Sequence, residues 1–144
     1  MIDEVLQQHI VAEPAIAALL ATYDFGGASV SPAAFTTEGG IPEDAEYPAA
    51  YIQEISADDF SVRDSAGATV GIDIAVYDDK HMGSRVLELA LLIWQRVNRA
   101  DLAAALALRG YSFTYCMADW PIKTSDAGQF PGYTIRARVA LLKT

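Results

Sequence analysis

Residues 69–77 alternate strictly: Val70, Ile72, Ile74 and Val76 interleave with Gly71, Asp73, Ala75 and Tyr77. Successive side chains of a strand point to opposite faces, so this spacing predicts a strand with one face in an apolar core and the other facing out. Residues 133–141 repeat the pattern. Tyr133, Ile135, Ala137, Val139 and Leu141 fall on one side, with Thr134, Arg136 and Arg138 opposite. Two half-buried strands demand something apolar to cover a single face, and the sequence offers helices. From His81 or Met82 to Asn98, the residues Val86, Leu89, Ala90, Ile93 and Val97 recur at three- and four-residue steps. Leu87, Leu91 and Trp94 widen that stripe beyond what one sheet needs, which leaves part of it for a partner chain.

Other elements are shorter. Residues 2–12 carry Ile2, Val5, Leu6, His9 and Ile10 at helical spacing, with Asp3 and Glu4 at the positive end of the helix dipole. Glu13-Pro14 breaks this helix and starts a second, at 14–21, whose apolar composition predicts burial on more than one side. Residues 23–48 are punctuated by Gly26, Gly27, Gly39, Gly40, Pro32, Pro42 and Pro48. They predict an extended loop or arm at about 23–49, with short strand-like pieces at 28–30 and 34–36. A strand is expected at 51–55. Asp58-Asp59 and residues 64–67 supply turns around a short strand at 60–63, and Asp78-Asp79 stops the 69–77 strand. A helix at 101–108 ends at Gly110. Strands at 111–118 and 133–141 close the chain, joined by a loop at 119–132 that carries Trp120 and Phe130. Tyr111, Phe113, Tyr115 and Met117 share one face of the first of these strands. Short turns between strands imply antiparallel pairing. The expected fold is α+β: a two-layer sandwich, mainly antiparallel β-sheet with helices packed on one face, in one domain spanning 1–144.

Charge is unevenly distributed. The net is −9, which disfavours a protein that holds nucleic acid by neutralising phosphates. Residues 1–79 hold fifteen acids and one base, a net of −14, whereas residues 80–144 hold nine bases and four acids, a net of +5. Such asymmetry suits a two-faced subunit making head-to-tail contacts, provided that sequence halves become spatial halves.

Chemistry-bearing patterns are scarce. Two histidines, His9 and His81, are poor material for catalysis, and His9 sits on a helix's apolar face. Asp78, Asp79 and His81 suggest a divalent-metal site only if they converge, whereas adjacent aspartates usually cap turns. Neither Gly26-Gly27 nor Gly39-Gly40 has the Lys-Ser/Thr of a phosphate loop, and no serine sits in a nucleophile elbow. The single cysteine, Cys116, excludes an internal disulfide and lies in an apolar strand pattern, as a buried thiol does. The N-terminal MIDEVLQQHI is not a secretory leader, and the most apolar stretch, 86–97, is too short and too charged to cross a bilayer. The expectation is therefore a non-enzymatic protein without metal or cofactor, acting through its surface. The candidate interface residues are Phe35 in the arm, Asp58, Asp59, Trp94, Trp120, Phe130, Arg136 and Arg138. For the arginines a solvated sheet face is the alternative, and for Trp120 packing of the loop onto its own domain.

Several stretches together resemble the tail terminator (tail completion, or minor tail) proteins of long-tailed phages and gene transfer agents. They are Glu13-Pro14-Ala15-Ile16-Ala17-Ala18-Leu19-Leu20, Tyr47-Pro48-Ala49-Ala50-Tyr51-Ile52, the alternating strand at 70–77 leading into an Arg/Leu helix, and Ile135-Arg136-Ala137-Arg138-Val139. The resemblance lies in their order and spacing across nearly the whole chain. It implies a virion protein at the head-proximal end of the tail, assembled in the host cytoplasm. It further implies a hexameric ring on the last ring of major tail tube subunits, which stops tube polymerisation and offers a docking surface to head–tail connector, or neck, proteins. DNA would pass through without specific binding, and no membrane is involved. A connector or another ring-forming tail component is the neighbouring reading.

Overall fold

The computed structural model describes residues 1–26, 29–37, 40–59, 66–79, 84–124 and 132–143. Its central pair is made of the two strands that the alternation predicts, although nothing in that alternation pairs them. β5 (Gly67–Tyr77) and β8 (Gly132–Lys143) run antiparallel in continuous register, with Ile74 opposite Ile135 and Asp73 opposite Arg136. β4 (Ala49–Asp59) lies antiparallel on the other side of β5, and β3 (Ala34–Thr36) joins β4 in parallel. β6 (Tyr111–Ala118) and the short β7 (Ile122–Thr124) both pair antiparallel with β8, giving the order β3-β4-β5-β8-β6. β1 (Thr22–Gly26) and β2 (Ser29–Pro32) form a separate two-stranded sheet.

Among the described residues four helices accompany the sheet: α1 (Ile2–Val11), α2 (Pro14–Leu19), α3 (Ser84–Val97) and α4 (Ala103–Ala107). α3 buries Val86, Leu89, Ala90, Ile93 and Val97, the stripe read from its spacing. These residues share one core with Ile52, Ile72, Ile74, Val76, Ile135, Ala137 and Val139 from the sheet and with Ile2, Val5, Leu6 and Ile10 from α1. The fold is α+β, with helices on one face of a mainly antiparallel sheet. Alternate residues of β3 and β4 point the other way, where Ala33, Phe35 and Ala49 make a small second cluster with Tyr23, Tyr47 and Tyr51. The β1–β2 hairpin thus covers the far face at the β3–β4 end only. It occupies part of the segment whose punctuation predicts an arm.

Two polar devices dock α1. Its N-cap residue, Met1, makes no side-chain capping bond; instead Glu54 Oε1 of β4 accepts the N–H groups of Ile2 (2.7 Å) and Asp3 (3.3 Å) and the Met1 amino group (3.0 Å). The Asp3 carboxylate accepts the Met1 amino group and the N–H groups of Glu4 and Thr37. Burial alone pushes the Asp3 carboxyl up, but these hydrogen bonds outweigh it together and hold it below the usual carboxylate range. At the other end, His9 Nε2 meets the Arg96 carbonyl (3.1 Å) while Arg96 Nε donates to the His9 carbonyl (2.9 Å). Burial, with the Arg96 charge beside it, holds the His9 pKa below its ordinary value.

Several boundaries differ from the sequence expectation. β4 runs eleven residues rather than the five at 51–55, so Asp58 and Asp59 lie in the strand and not in a turn. A bulge between Glu54 and Ser56 breaks the alternation, and the residues beyond it are exposed, leaving no apolar period to read. Gly71 makes room for that bulge, because a Cβ there would run into Ser56 Oγ. Gly67 opens β5 instead of ending a turn. α2 buries Ile16 alone, not several sides. The loop expected at 119–132 contains β7. The strand expected at 60–63 and the helix onset at His81 or Met82 lie outside the described residues.

Replacing Ile93, which is fully buried between α3 and the sheet, by alanine is expected to destabilise the protein by about 2–5 kcal/mol. In urea this reads as a lower midpoint with an unchanged slope. A loss below about 0.5 kcal/mol, the usual range for surface substitutions, would contradict the placement of this core.

Candidate interaction surface

Chain order becomes spatial order in this sheet. Residues 1–59 contain eleven acids and no Lys or Arg. They make α1, α2 and β1 to β4, the β3–β4 end. β8, β6 and β7 make the opposite end, and with the connections on either side of α4 they carry Arg99, Arg109, Lys123, Arg136, Arg138 and Lys143. Glu4, Asp24, Glu43, Asp44, Glu46, Asp58 and Asp59 are exposed at the first end; Arg99, Lys123, Arg136, Arg138 and Lys143 are exposed at the second. Four strand spacings separate β3 from β6, about 19 Å. That is more than twice the roughly 8 Å screening length at physiological salt, whereas the acids of β4 and the arginines of β8 lie only two spacings apart, about 10 Å.

The uncovered face of the sheet belongs to the basic pole. It presents Asp73 and Ala75 of β5, Thr134, Arg136 and Arg138 of β8, Met117 of β6 and Ile122 of β7. Arg136 Nε stands 3.5 Å from Asp73 and Arg138 reaches Asp119 at 3.4 Å, with the arginine side chains 67% and 47% exposed. Both separations exceed the 2.7–2.9 Å of a strong charge-assisted hydrogen bond, and exposed pairs of this kind add little stability. Asp73, Ile122, Lys123, Thr124, Thr134 and Arg136 line a shallow cavity of about 320 Å³. Tyr115, Met117 and Ile122 are exposed beside it. Arginine, tyrosine and methionine are the residue types enriched at protein interfaces.

The remaining candidates divide. Trp94 is half-buried and donates from Nε1 to the Ala118 carbonyl (3.1 Å), while Trp120 meets it edge-on at 5.0 Å and keeps 63% of its surface exposed. Trp120 therefore packs on its own domain and still offers a face outward. Phe35 is buried and supports the hairpin through edge contacts with Tyr23. Phe25, which tilts over Phe35 and is exposed, stands outermost there and was not singled out by sequence. Phe130 lies outside the described residues. Tyr115, Met117 and Ile122 also escaped the sequence reading. A bulge between Phe113 and Tyr115 shifts the register of β6, so that Cys116 and Ala118 are buried and Tyr115 and Met117 face out.

Asp78 is committed to a structural ion pair. Its carboxylate is buried and gripped at both oxygens by Arg85, at 2.7 and 2.6 Å, while Asp79 lies 3.9 Å from the same guanidinium. His81 lies outside the described residues, and among those described no three His, Cys, Asp or Glu side chains gather as a metal site. Nor is any described helix long and apolar enough to cross a membrane. Cys116 is buried, its thiol donating to the Val97 carbonyl at 3.3 Å.

No protein-family model matches the chain, and no curated protein matches it. Among solved structures it is similar to a chain of the virion of a native gene transfer agent particle. The TM-score is 0.67 at 16% sequence identity, covering 97% of this chain and 93% of that one. At that identity the likeness is one of fold.

Burial pushes the Cys116 thiol up to about 11. Since the thiolate is the reactive form, an aromatic disulfide reagent at pH 8 is expected to leave the folded protein untouched and to label one thiol per chain in denaturant. Rapid labelling without denaturant would contradict the burial of β6 against α3.

Proposed function

We propose that this chain is a structural protein of a phage-like virion, and within it a tail terminator. On this reading it forms a ring on the end of the tail tube, stops tube polymerisation and presents its other side to the neck. The observation that carries the reading is the separation of charge across the sheet, combined with a fold shared end to end with a gene transfer agent virion chain. A subunit with two different complementary patches assembles head to tail, and it closes into a ring when the rotation between patches divides a full turn. Six copies is the number the sequence resemblance implies.

The rest of the chain is consistent with that role. Asp78 serves Arg85, and Arg136 and Arg138 stand exposed on the sheet face. A ring of subunits each carrying −9 holds few phosphates overall, which leaves DNA free to move through its channel.

Native mass spectrometry of the protein, alone and then with the major tail tube protein of the same genome, tests the proposal. A hexamer, either free or appearing when tube protein is added, is the expected result. A chain that ignores tube protein but joins a portal-side neck protein would instead identify a connector, and one that stays monomeric with both would refute the ring.

A further inference from the structure

We propose that the junction between copies, which rests on the ring reading above, seats the open edge of β4 in one copy on the arginine-bearing sheet face of the next. β3 ends opposite Ile52, and the Glu54 N–H is taken by Thr37 Oγ1. Beyond that point no described strand flanks β4 on its outer side. This edge carries Ile55, 49% exposed, followed by Asp58 and Asp59. An edge strand left open is a template for another chain, and acidic side chains on it reject like-charged edges.

The face of β8, on the other side of β5 from this edge, supplies the complement. Arg136 and Arg138 stand on a face that no described helix covers and that also bears exposed Tyr115, Met117 and Ile122. Arg138 meets exposed Asp119 only at 3.4 Å, so an incoming carboxylate can make a shorter contact without breaking a strong bond. Each patch pairs one charge sign with exposed apolar surface, and the signs are opposite. The occupant this predicts is a second copy of the chain, because one molecule presents both halves, the acidic edge on β4 and the arginine face on β8, on either side of β5. Two unlike patches give a heterologous contact, the kind a ring requires. The uneven charge of the sequence is then the junction's specificity: acidic edges repel acidic edges, and arginine faces repel arginine faces.

Charge reversal tests the pairing in the full-length protein. Asp58→Arg and Arg138→Asp are each expected to weaken assembly at least about tenfold, since close charge pairs at interfaces couple by roughly 1.5 kcal/mol or more. Combined in one chain, the two reversals should restore assembly at every junction. Native mass spectrometry reads the ring with and without tube protein, and urea midpoints confirm that each variant is folded. Should a reversal variant fail to fold, an Asp58→Cys/Arg138→Cys chain is expected to form disulfide-linked multimers under mild oxidation, with the buried Cys116 as a silent control. Rings that survive both single reversals, or a double reversal that does not regain assembly, or the absence of cross-links in an assembled ring, would each overturn this junction while leaving the ring intact. A wild-type chain that never assembles, even with tube protein, overturns the ring reading and the junction together.

Discussion

The pairing of β5 with β8 sets the terms for everything else in this protein. Both strands alternate β-branched or aliphatic residues with glycine, aspartate, threonine or arginine, and they align so that Ile72, Ile74 and Val76 share a face with Ala137, Ile135 and Tyr133. That face must be removed from water, at roughly 25 cal/mol for each Å² of apolar surface. α3 supplies a stripe of matching width, and α1 extends it over β3 and β4. A single helical layer satisfies the requirement. The other half of every alternating pair is consequently left on an open face, and this is why Arg136 and Arg138 point outward. The surface proposed to assemble is therefore a by-product of the core's own period.

The second consequence concerns charge. The order β3-β4-β5-β8-β6 keeps the acidic first part of the chain on one side of the central strand pair and most of the later, basic part on the other. Concentrating acids at one end carries a cost in self-repulsion. The structure offsets some of it locally. Asp3 and Glu54 are absorbed by the N–H groups and amino group at the start of α1, and Asp78 by Arg85. Asp58, Glu43 and Asp44 remain exposed. Of these, Asp44 accepts the Tyr23 hydroxyl, which ties the 40–48 segment to the hairpin.

Much of this was legible in the sequence, for a stated reason: wherever burial imposes a period, the period can be read. The strands at β5 and β8 and the buried stripe of α3 follow residue by residue from spacing. The failures occur where a bulge resets the period. β4 was read as ending at Ile55 because the bulge at Glu54–Ser56 leaves its remaining residues exposed, with nothing apolar to mark them. β6 was read with Tyr115 and Met117 on the face of Tyr111 and Phe113, whereas its bulge turns them outward and creates part of the candidate surface. The pairing of β3 with β4 also lay beyond local pattern. It joins residues fifteen or more apart, across glycines and prolines that read as loop, through a small cluster around Phe35 that no period announces. Composition gave the charge asymmetry, but only the sheet order turned it into two poles.

The exposed arginines of the sheet face and the acidic edge of β4 are the surfaces on which the contact of the proposed assembly rests. The central claim is that this contact uses the sheet face and the β4 edge, leaving the helical layer outside. Hydrogen exchange, compared between the free protein and its assembly on tube ends, tests that most directly. The account predicts new protection over residues 53–59 and 132–138, with α4 and the outer turns of α3 unchanged. Protection confined to α3 and α4, with the sheet face exchanging as in the free chain, would contradict it.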